Sequence, residues 1–155
     1  MSRAFVKETD DAGEPLPELA VSPHPNLVTP AGLEQIAARV AALEAELRAA
    51  RVSGDKPVQK RVERDLRYWT QRRASARVVP PAAVAPDVVR FGVCVTLRFD
   101  DGEERAFKLV GEDEADPSAG LVSWAAPLGR ALTGKAPGDV VTVTGRTAAI
   151  SSLSP

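Results

Sequence analysis

The sequence predicts an α+β protein, with an N-terminal antiparallel two-helix coiled coil followed by an antiparallel sheet domain with one short helix. The first observation is a run of apolar residues at steps of three and four, then a break at 53–57 and a second helical pattern. The second is a pair of alternating apolar segments on either side of Asp100-Asp101-Gly102, which is typical of a β-hairpin. With 155 residues, the chain has room for two small domains.

These patterns divide the chain into an extended lead-in at 1–27, a coiled coil at 28–79, a linker at 80–86 and a sheet domain at 87–155. Prolines in the lead-in exclude a continuous helix there. The linker is rich in Pro and Ala, which favours a short and fairly stiff connection.

The first helix has a clear start and a regular apolar seam. Thr29 can cap the free N–H groups, and Pro30 suits the first helical position because it lacks an N–H of its own. The helix is expected to end near Val52, before Ser53-Gly54. Its seam has the heptad spacing of a coiled coil and consists of Leu33, Ile36, Val40, Leu43, Leu47 and Ala50.

The second helix is predicted at 57–78, and the short break places it antiparallel to the first. Its apolar face consists of Val58, Val62, Leu66, Trp69 and Ala76. Cations on its outward faces can follow a phosphate backbone, or they can form a solvated face paired with acids such as Glu46 across the hairpin. The candidate nucleic-acid-facing residues are Lys60, Arg61, Arg64, Arg67 and Arg72.

The sheet domain is predicted from alternating apolar segments separated by turns. A short helix is expected at 127–133, since Pro127 suits its start and Gly134 its end. The predicted strands are 89–99, 104–110, 121–125, 140–144 and 147–153.

Charge distribution, apolar stretches and cysteine content indicate where the protein acts. The net charge is −1, yet the middle of the chain is basic and both ends are acidic, which suggests separate surfaces for separate partners. No apolar stretch is long enough to cross a membrane, and the N-terminus lacks a secretory signal. Cys94 is the single cysteine and alternates with valines, as a half-buried strand residue would. We expect a cytoplasmic monomer without a membrane partner.

Residues 91–139 resemble a known protein family. The string VGEDEAD at 110–116 is followed by Ser123, Pro127, Arg130-Ala131-Leu132 and Gly134-Lys135 at a specific spacing. This pattern is similar to the C-terminal domain of the Gre family of bacterial transcript-cleavage factors, which implies an FKBP-like fold. The resemblance covers 27–155, because a two-helix coiled coil before that domain is the family architecture. The lead-in resembles an extension of the GreB-like branch.

The resemblance implies docking to RNA polymerase at the rim of its secondary channel, with the coiled coil directed toward the active centre and close to nascent RNA. The polymerase performs the cleavage, so this protein is expected to be no enzyme and to hold no intrinsic cofactor. Acids at the family's hairpin tip help to hold a second Mg²⁺; here Asp55 is the candidate shared ligand. The implied polymerase-binding residues are Glu112, Asp113, Glu114, Asp116, Ser123, Pro127 and Arg130.

The hairpin tip departs from the family pattern. Gly54-Asp55 matches, but the glutamate expected three residues after the aspartate is Val58, and Lys56 lies between them. Each helix of the hairpin is also shorter, by two to three turns, than in the cleavage-competent members of the family. This shortens the reach of the hairpin by about 10–15 Å. We therefore expect a polymerase-binding regulator with weak or no stimulation of cleavage.

The sequence leaves three alternatives open. The first is a functional cleavage factor that uses Asp55, and the second is direct nucleic-acid binding through the basic second helix. The third is prolyl isomerase activity of the second domain, which would require an aromatic-lined pocket in a domain with few aromatic residues.

Overall fold

The structure, a computed structural model, describes residues 14–155. The first part of the lead-in, with Phe5 and Val6, lies outside the described residues. Two antiparallel helices form the predicted hairpin, α1 (Pro30–Ser53) and α2 (Lys56–Ser75). The hairpin precedes the sheet along the chain, and the fold class is confirmed.

Helix α1 begins and ends as its sequence predicts. The Thr29 side chain accepts a hydrogen bond from the Gly32 N–H at 3.0 Å, and Pro30 occupies the first turn. Gly54 ends the helix in the left-handed region at φ 73°, where glycine has no Cβ penalty. Leu33, at the start of the seam, is half-buried. The other predicted seam residues are buried: Ile36, Val40, Leu43, Leu47 and Ala50.

Helix α2 ends at Ser75, three residues before the predicted end at Val78. The reason is a pair of short parallel strands, β1 (Leu27–Val28) and β2 (Arg77–Val78), which lie directly outside the two helices. The chain therefore enters and leaves the hairpin at one place. The lead-in, which the sequence predicts only as extended, ends in strand β1.

The second domain is a five-stranded sheet with the order β5-β4-β3-β7-β6. Its strands are β3 (Cys94–Phe99), β4 (Glu104–Val110), β5 (Leu121–Ser123), β6 (Val140–Val143) and β7 (Arg146–Ser154). The short helix α3 (Pro127–Leu132) lies between β5 and β6, as predicted.

The sheet is mixed, so the prediction of an antiparallel sheet is wrong for one pair of strands. Strands β4 and β5 run parallel, with Lys108 opposite Leu121 and Val110 opposite Ser123. The connection between them contains two 3₁₀ turns, Glu112–Glu114 and Pro117–Ala119, and does not form a simple hairpin. These turns carry the acidic loop to the base of the helical hairpin.

The first strand also begins later than predicted. Val89 bonds instead to the loop after α3, where its N–H donates to the Lys135 carbonyl at 2.8 Å and its carbonyl accepts from the Gly134 N–H at 2.8 Å. Strand β3 then alternates between buried and half-buried residues up to Arg98, and Cys94 is half-buried as predicted.

The main hydrophobic core lies in the sheet domain, and a smaller cluster fills the hairpin. Leu132 of α3 is fully buried against strand residues such as Leu97 and Leu109. In the hairpin, Leu43, Leu47 and Val62 are buried, with Leu66 and Trp69 packed against them. Within 14–155, none of the helices is long and apolar enough to cross a membrane.

Candidate functional site on the helical hairpin

Arg72 joins the hairpin to the sheet domain. Its side chain is only 2% exposed, although it carries a charge. Its Nε donates to Oδ2 of Asp113 at 2.6 Å, and its Nη2 donates to Oδ1 of Asn26 at 2.8 Å. The prediction that Arg72 lies on an outward face of α2 is wrong, because the acidic loop and the lead-in cover it. Arg72 is a structural contact between the domains.

Asp113 receives a second hydrogen bond from the same helix. The Tyr68 hydroxyl donates to Oδ1 of Asp113 at 2.7 Å, so both carboxylate oxygens are occupied. Burial raises the pKa of Tyr68 to about 12, and the hydrogen bond to Asp113 adds to the effect. On the other side, Asn26 donates to the Arg72 carbonyl at 2.7 Å and to Oγ of Ser75 at 3.1 Å.

Glu114 ties the start of α1 to the acidic loop. Its Oε2 accepts from the backbone N–H groups of Thr29 and Gly111, each at 3.1 Å, and its Oε1 accepts from the Thr29 hydroxyl. The packing depends on two glycines. A Cβ on Gly32 would overlap the Glu114 carboxylate, and one on Gly111 would come within 2.5 Å of the Leu27 carbonyl oxygen.

The predicted polymerase-binding residues divide into an internal and an exposed set. Asp113 and Glu114 bond within the protein, and Glu112 Oε2 lies 3.7 Å from Nη2 of Arg72. The exposed residues of the set are Asp116, Pro127 and Arg130, and Ser123 is half-buried. Contact of the set with polymerase stays a prediction.

Asp116 and Ser123 shape their own turns. Oδ1 of Asp116 accepts from the Ser118 hydroxyl at 2.5 Å and from the Ser118 N–H at 3.1 Å. These hydrogen bonds, the one from the hydroxyl above all, lower the pKa of Asp116. The Ser123 hydroxyl accepts from the Ala125 N–H at 3.2 Å. Both residues thus have a local role at an exposed edge of the domain.

The hairpin tip presents one carboxylate, and that group caps a helix. Oδ1 of Asp55 accepts from the Val58 N–H at 3.1 Å, which satisfies one free donor at the start of α2. Gln59 donates from its amide to the Ala50 carbonyl at 3.0 Å and so supports the end of α1. Within 14–155, no group of three or more His, Cys, Asp and Glu side chains is arranged to hold a metal ion.

The basic residues of α2 largely face acidic partners. Arg61 pairs with Glu46 across the hairpin, as the solvated-face interpretation expected, and Arg64 lies 2.7 Å from Asp65. Arg67 donates from Nε to Glu18 at 3.1 Å, and this contact lowers the pKa of the Glu18 carboxyl. Among the candidate basic residues of α2, Arg72 is buried, and Lys60 and the remaining arginines are exposed or half-exposed. Their use as a phosphate-binding row stays a prediction.

Sequence reasoning missed the roles of Asn26, Glu18 and Tyr68. Asn26 lies in a proline-rich segment without periodicity, so nothing local indicated that it would be buried. Tyr68 stands next to Trp69, and their rings meet edge to face at 5.2 Å. Its position beside the core face hid the fact that its hydroxyl turns toward the acidic loop. Their partners lie 45 to 49 positions away in the chain, so no local signal indicated these contacts.

Comparison with known proteins shows consistent relatives. Residues 84–153 match the family described as "Transcription elongation factor, GreA/GreB, C-term". Transcription elongation factor GreA of Sphingopyxis alaskensis is 34% identical over 130 residues, which covers 73% of this chain and 82% of that protein. GreB of Neisseria meningitidis is 42% identical over 81 residues, covering 52% of this chain and 50% of that protein.

GreA of Alkalilimnicola ehrlichii is 46% identical over 84 residues, covering 53% of each chain. This chain thus matches about half the length of these last two relatives. Among solved structures, the GreA factor homolog 1 (Gfh1) protein of Thermus thermophilus is 23% identical and aligns over 84% of this chain and 99% of that chain, with a TM-score of 0.40.

Proposed function

The chain belongs to the GreA/GreB family of transcription elongation factors, and we propose that it binds bacterial RNA polymerase at the rim of the secondary channel. The sheet domain anchors it there, and the hairpin projects into the channel, close to nascent RNA. It acts in the cytoplasm as a monomer and catalyses no reaction itself. Its effect on transcript cleavage is weak or absent.

The observation that supports weak cleavage is the chemistry of the tip. A second catalytic Mg²⁺ needs additional carboxylate oxygens, because each ligand must help to neutralise and orient the ion. Here Asp55 already accepts the Val58 N–H as a helix cap. Three residues further along, Val58 offers no oxygen, and Lys56 adds a positive charge close to the site.

The contacts at the base support a hairpin with a fixed direction. Buried bonds from Arg72 to Asp113 and from Thr29 to Glu114 hold both helices on the sheet domain. A polymerase that binds the exposed edge with Asp116, Pro127 and Arg130 would therefore receive the hairpin in one orientation. These exposed residues are our candidates for the polymerase contact.

The experiment is RNA cleavage in stalled, backtracked elongation complexes. We expect little shortening of the RNA 3′ end with the natural protein. Val58→Glu restores the second acid and should raise the cleavage rate if the tip reaches the active centre. Asp55→Asn is the matched control, because asparagine retains the helix cap but loses the carboxylate charge.

Binding must be measured in parallel, with core polymerase and with a competing cleavage-competent GreA. Inhibition of GreA-stimulated cleavage, without cleavage by this protein alone, is the expected result. Rapid cleavage by the natural protein that disappears with Asp55→Asn would instead establish the alternative, a functional cleavage factor. Failure to bind polymerase would overturn the docking proposal itself.

A further inference from the structure

A groove runs along one flank of the hairpin. It has a volume of about 620 Å³, and most of the surface that it exposes is apolar. Leu47 of α1 and Leu66 of α2 are part of its lining, and Leu66 is only half-buried despite its place in the apolar seam. Between Glu63 and Ala74, the groove follows about 16 Å of α2. An apolar groove of this length on a two-helix hairpin leaves part of the small core without cover.

The lead-in approaches this groove. Successive α-helical residues are rotated by about 100°, so Arg72 and Arg67 lie about 140° apart around the axis of α2. Asn26 bonds to Arg72 on the flank that faces the sheet domain. Eight residues earlier in the chain, Glu18 bonds to Arg67, which lines the groove. The lead-in therefore crosses the back of α2 and reaches the groove at Glu18.

The sequence before Glu18 has the chemistry to continue into the groove. Residues 1–13 contain an adjacent apolar pair, Phe5 and Val6, with the cations Arg3 and Lys7 close by on either side and the acids Glu8, Asp10 and Asp11 after them. The groove offers an apolar floor, and its charged lining residues are Arg51, Glu63 and Arg67. Arg51 pairs with Glu63, and Arg67 pairs with Glu18. Length is sufficient, because thirteen extended residues span up to about 40 Å.

We propose that residues 1–13 bind in this groove, with Phe5 against Leu47 and Leu66. The segment then acts as a third apolar layer on the hairpin, and the Glu18–Arg67 pair guides it there. The occupant is this chain's own N-terminus, and a second copy of the chain or a foreign peptide is the competing possibility.

The first test is methyl NMR of the full chain with Phe5→Ala and, as a matched control in the same segment, Thr9→Ala. A phenyl ring shifts the resonances of methyl groups that it contacts. We expect Phe5→Ala to move the methyl signals of Leu47 and Leu66, while those of Leu97 in the sheet core stay in place. Thr9→Ala should leave all three unchanged, and unchanged Leu47 and Leu66 signals in Phe5→Ala would overturn the proposal.

The second test is cross-linking in a Cys94→Ala background. Ala4→Cys, which leaves Phe5 in place, is combined with Thr70→Cys in the groove or with Ala38→Cys on the exposed outer face of α1. We expect an intramolecular disulfide several times faster with Thr70→Cys, and slower formation when Glu18→Gln removes the guiding ion pair. Equal rates for the two partners would refute the assignment, and a cross-link found only between molecules would assign the groove to a second copy.

Discussion

Thr29 and Glu114 are 85 positions apart in sequence, yet two hydrogen bonds join them inside the protein. The Thr29 hydroxyl has two roles, because it donates to Glu114 and accepts from the Gly32 N–H at 3.0 Å. One side chain thus caps α1 and attaches that helix to the sheet domain. The start of the hairpin and its anchorage are consequently a single structural unit.

Thr29→Ala should destabilise the protein by about 2–3 kcal/mol. Loss of a helix cap costs about 1 kcal/mol, and removal of a donor from a buried carboxylate adds a comparable amount. Urea unfolding, followed by far-UV circular dichroism, gives the free energy of unfolding. Thr29→Ser retains the hydroxyl and is the matched control, expected to unfold close to the natural midpoint. Equal losses for both variants would contradict the role of the hydroxyl.

Arg72 and Arg67 provide a comparison of a buried and an exposed ion pair on one helix. Arg72→Met leaves Asp113 without its charged partner and should cost about 3–5 kcal/mol. Arg67→Met removes the ion pair with Glu18, in which the Arg67 side chain is 57% exposed and the Glu18 side chain 62% exposed. The free energy of unfolding should therefore change little, and only at low salt. The same urea titration compares them. A loss for Arg67→Met as large as that for Arg72→Met would show that burial is not the deciding factor.

Tyr68 is the only tyrosine, so phenolate absorbance reports its ionisation directly. We expect a midpoint near the pKa of about 12 in the folded protein, against about 10 in urea. Because folding raises this pKa, the associated stability is complete below pH of about 10 and is lost as the pH rises through 12. Asp113→Asn should lower the midpoint, since it removes the adjacent negative charge. A folded-state midpoint of 10 would refute the burial of the hydroxyl.

Gly32 and Glu114 should show strong energetic coupling. Gly32→Ala places a methyl group on the Glu114 carboxylate, and the overlap is expected to cost about 1–3 kcal/mol. In a Glu114→Ala background, the overlap disappears. Gly32→Ala should then stabilise the protein by up to about 1 kcal/mol, because alanine has a higher helix propensity than glycine. A double-mutant cycle with the four proteins measures the coupling free energy. Additive effects would show that the two residues do not touch in solution.

Periodic and local signals made most of the elements predictable. The heptad seam of α1 and the glycine at its end are local, and the structure places both where the sequence indicates. The Asp100-Asp101-Gly102 turn likewise joins β3 and β4 as an antiparallel pair, as predicted. Such features depend on neighbours within a few residues, so a single sequence contains the information.

Long-range polar contacts were not predictable in the same way. In the sequence, Arg72 looks like any surface arginine of α2. Its partners Asp113 and Asn26 lie in distant parts of the chain and contact it only in the folded protein. The parallel pairing of β4 and β5 also depends on how the intervening 3₁₀ turns redirect the chain. For the candidate site, the capping role of Asp55 follows from its place before α2, whereas its relation to polymerase depends on a partner outside this sequence.

The short strands β1 and β2 bring the two ends of the hairpin side by side. The helices between them can therefore be lengthened or exchanged while the contacts at the base of the hairpin, here called the socket, stay constant. Seven residues added to each helix, in register with the heptad seam, would carry the tip outward by about 10 Å and leave the socket contacts unchanged. A graded series of such proteins would work as a molecular ruler for the depth of whatever cavity receives the hairpin.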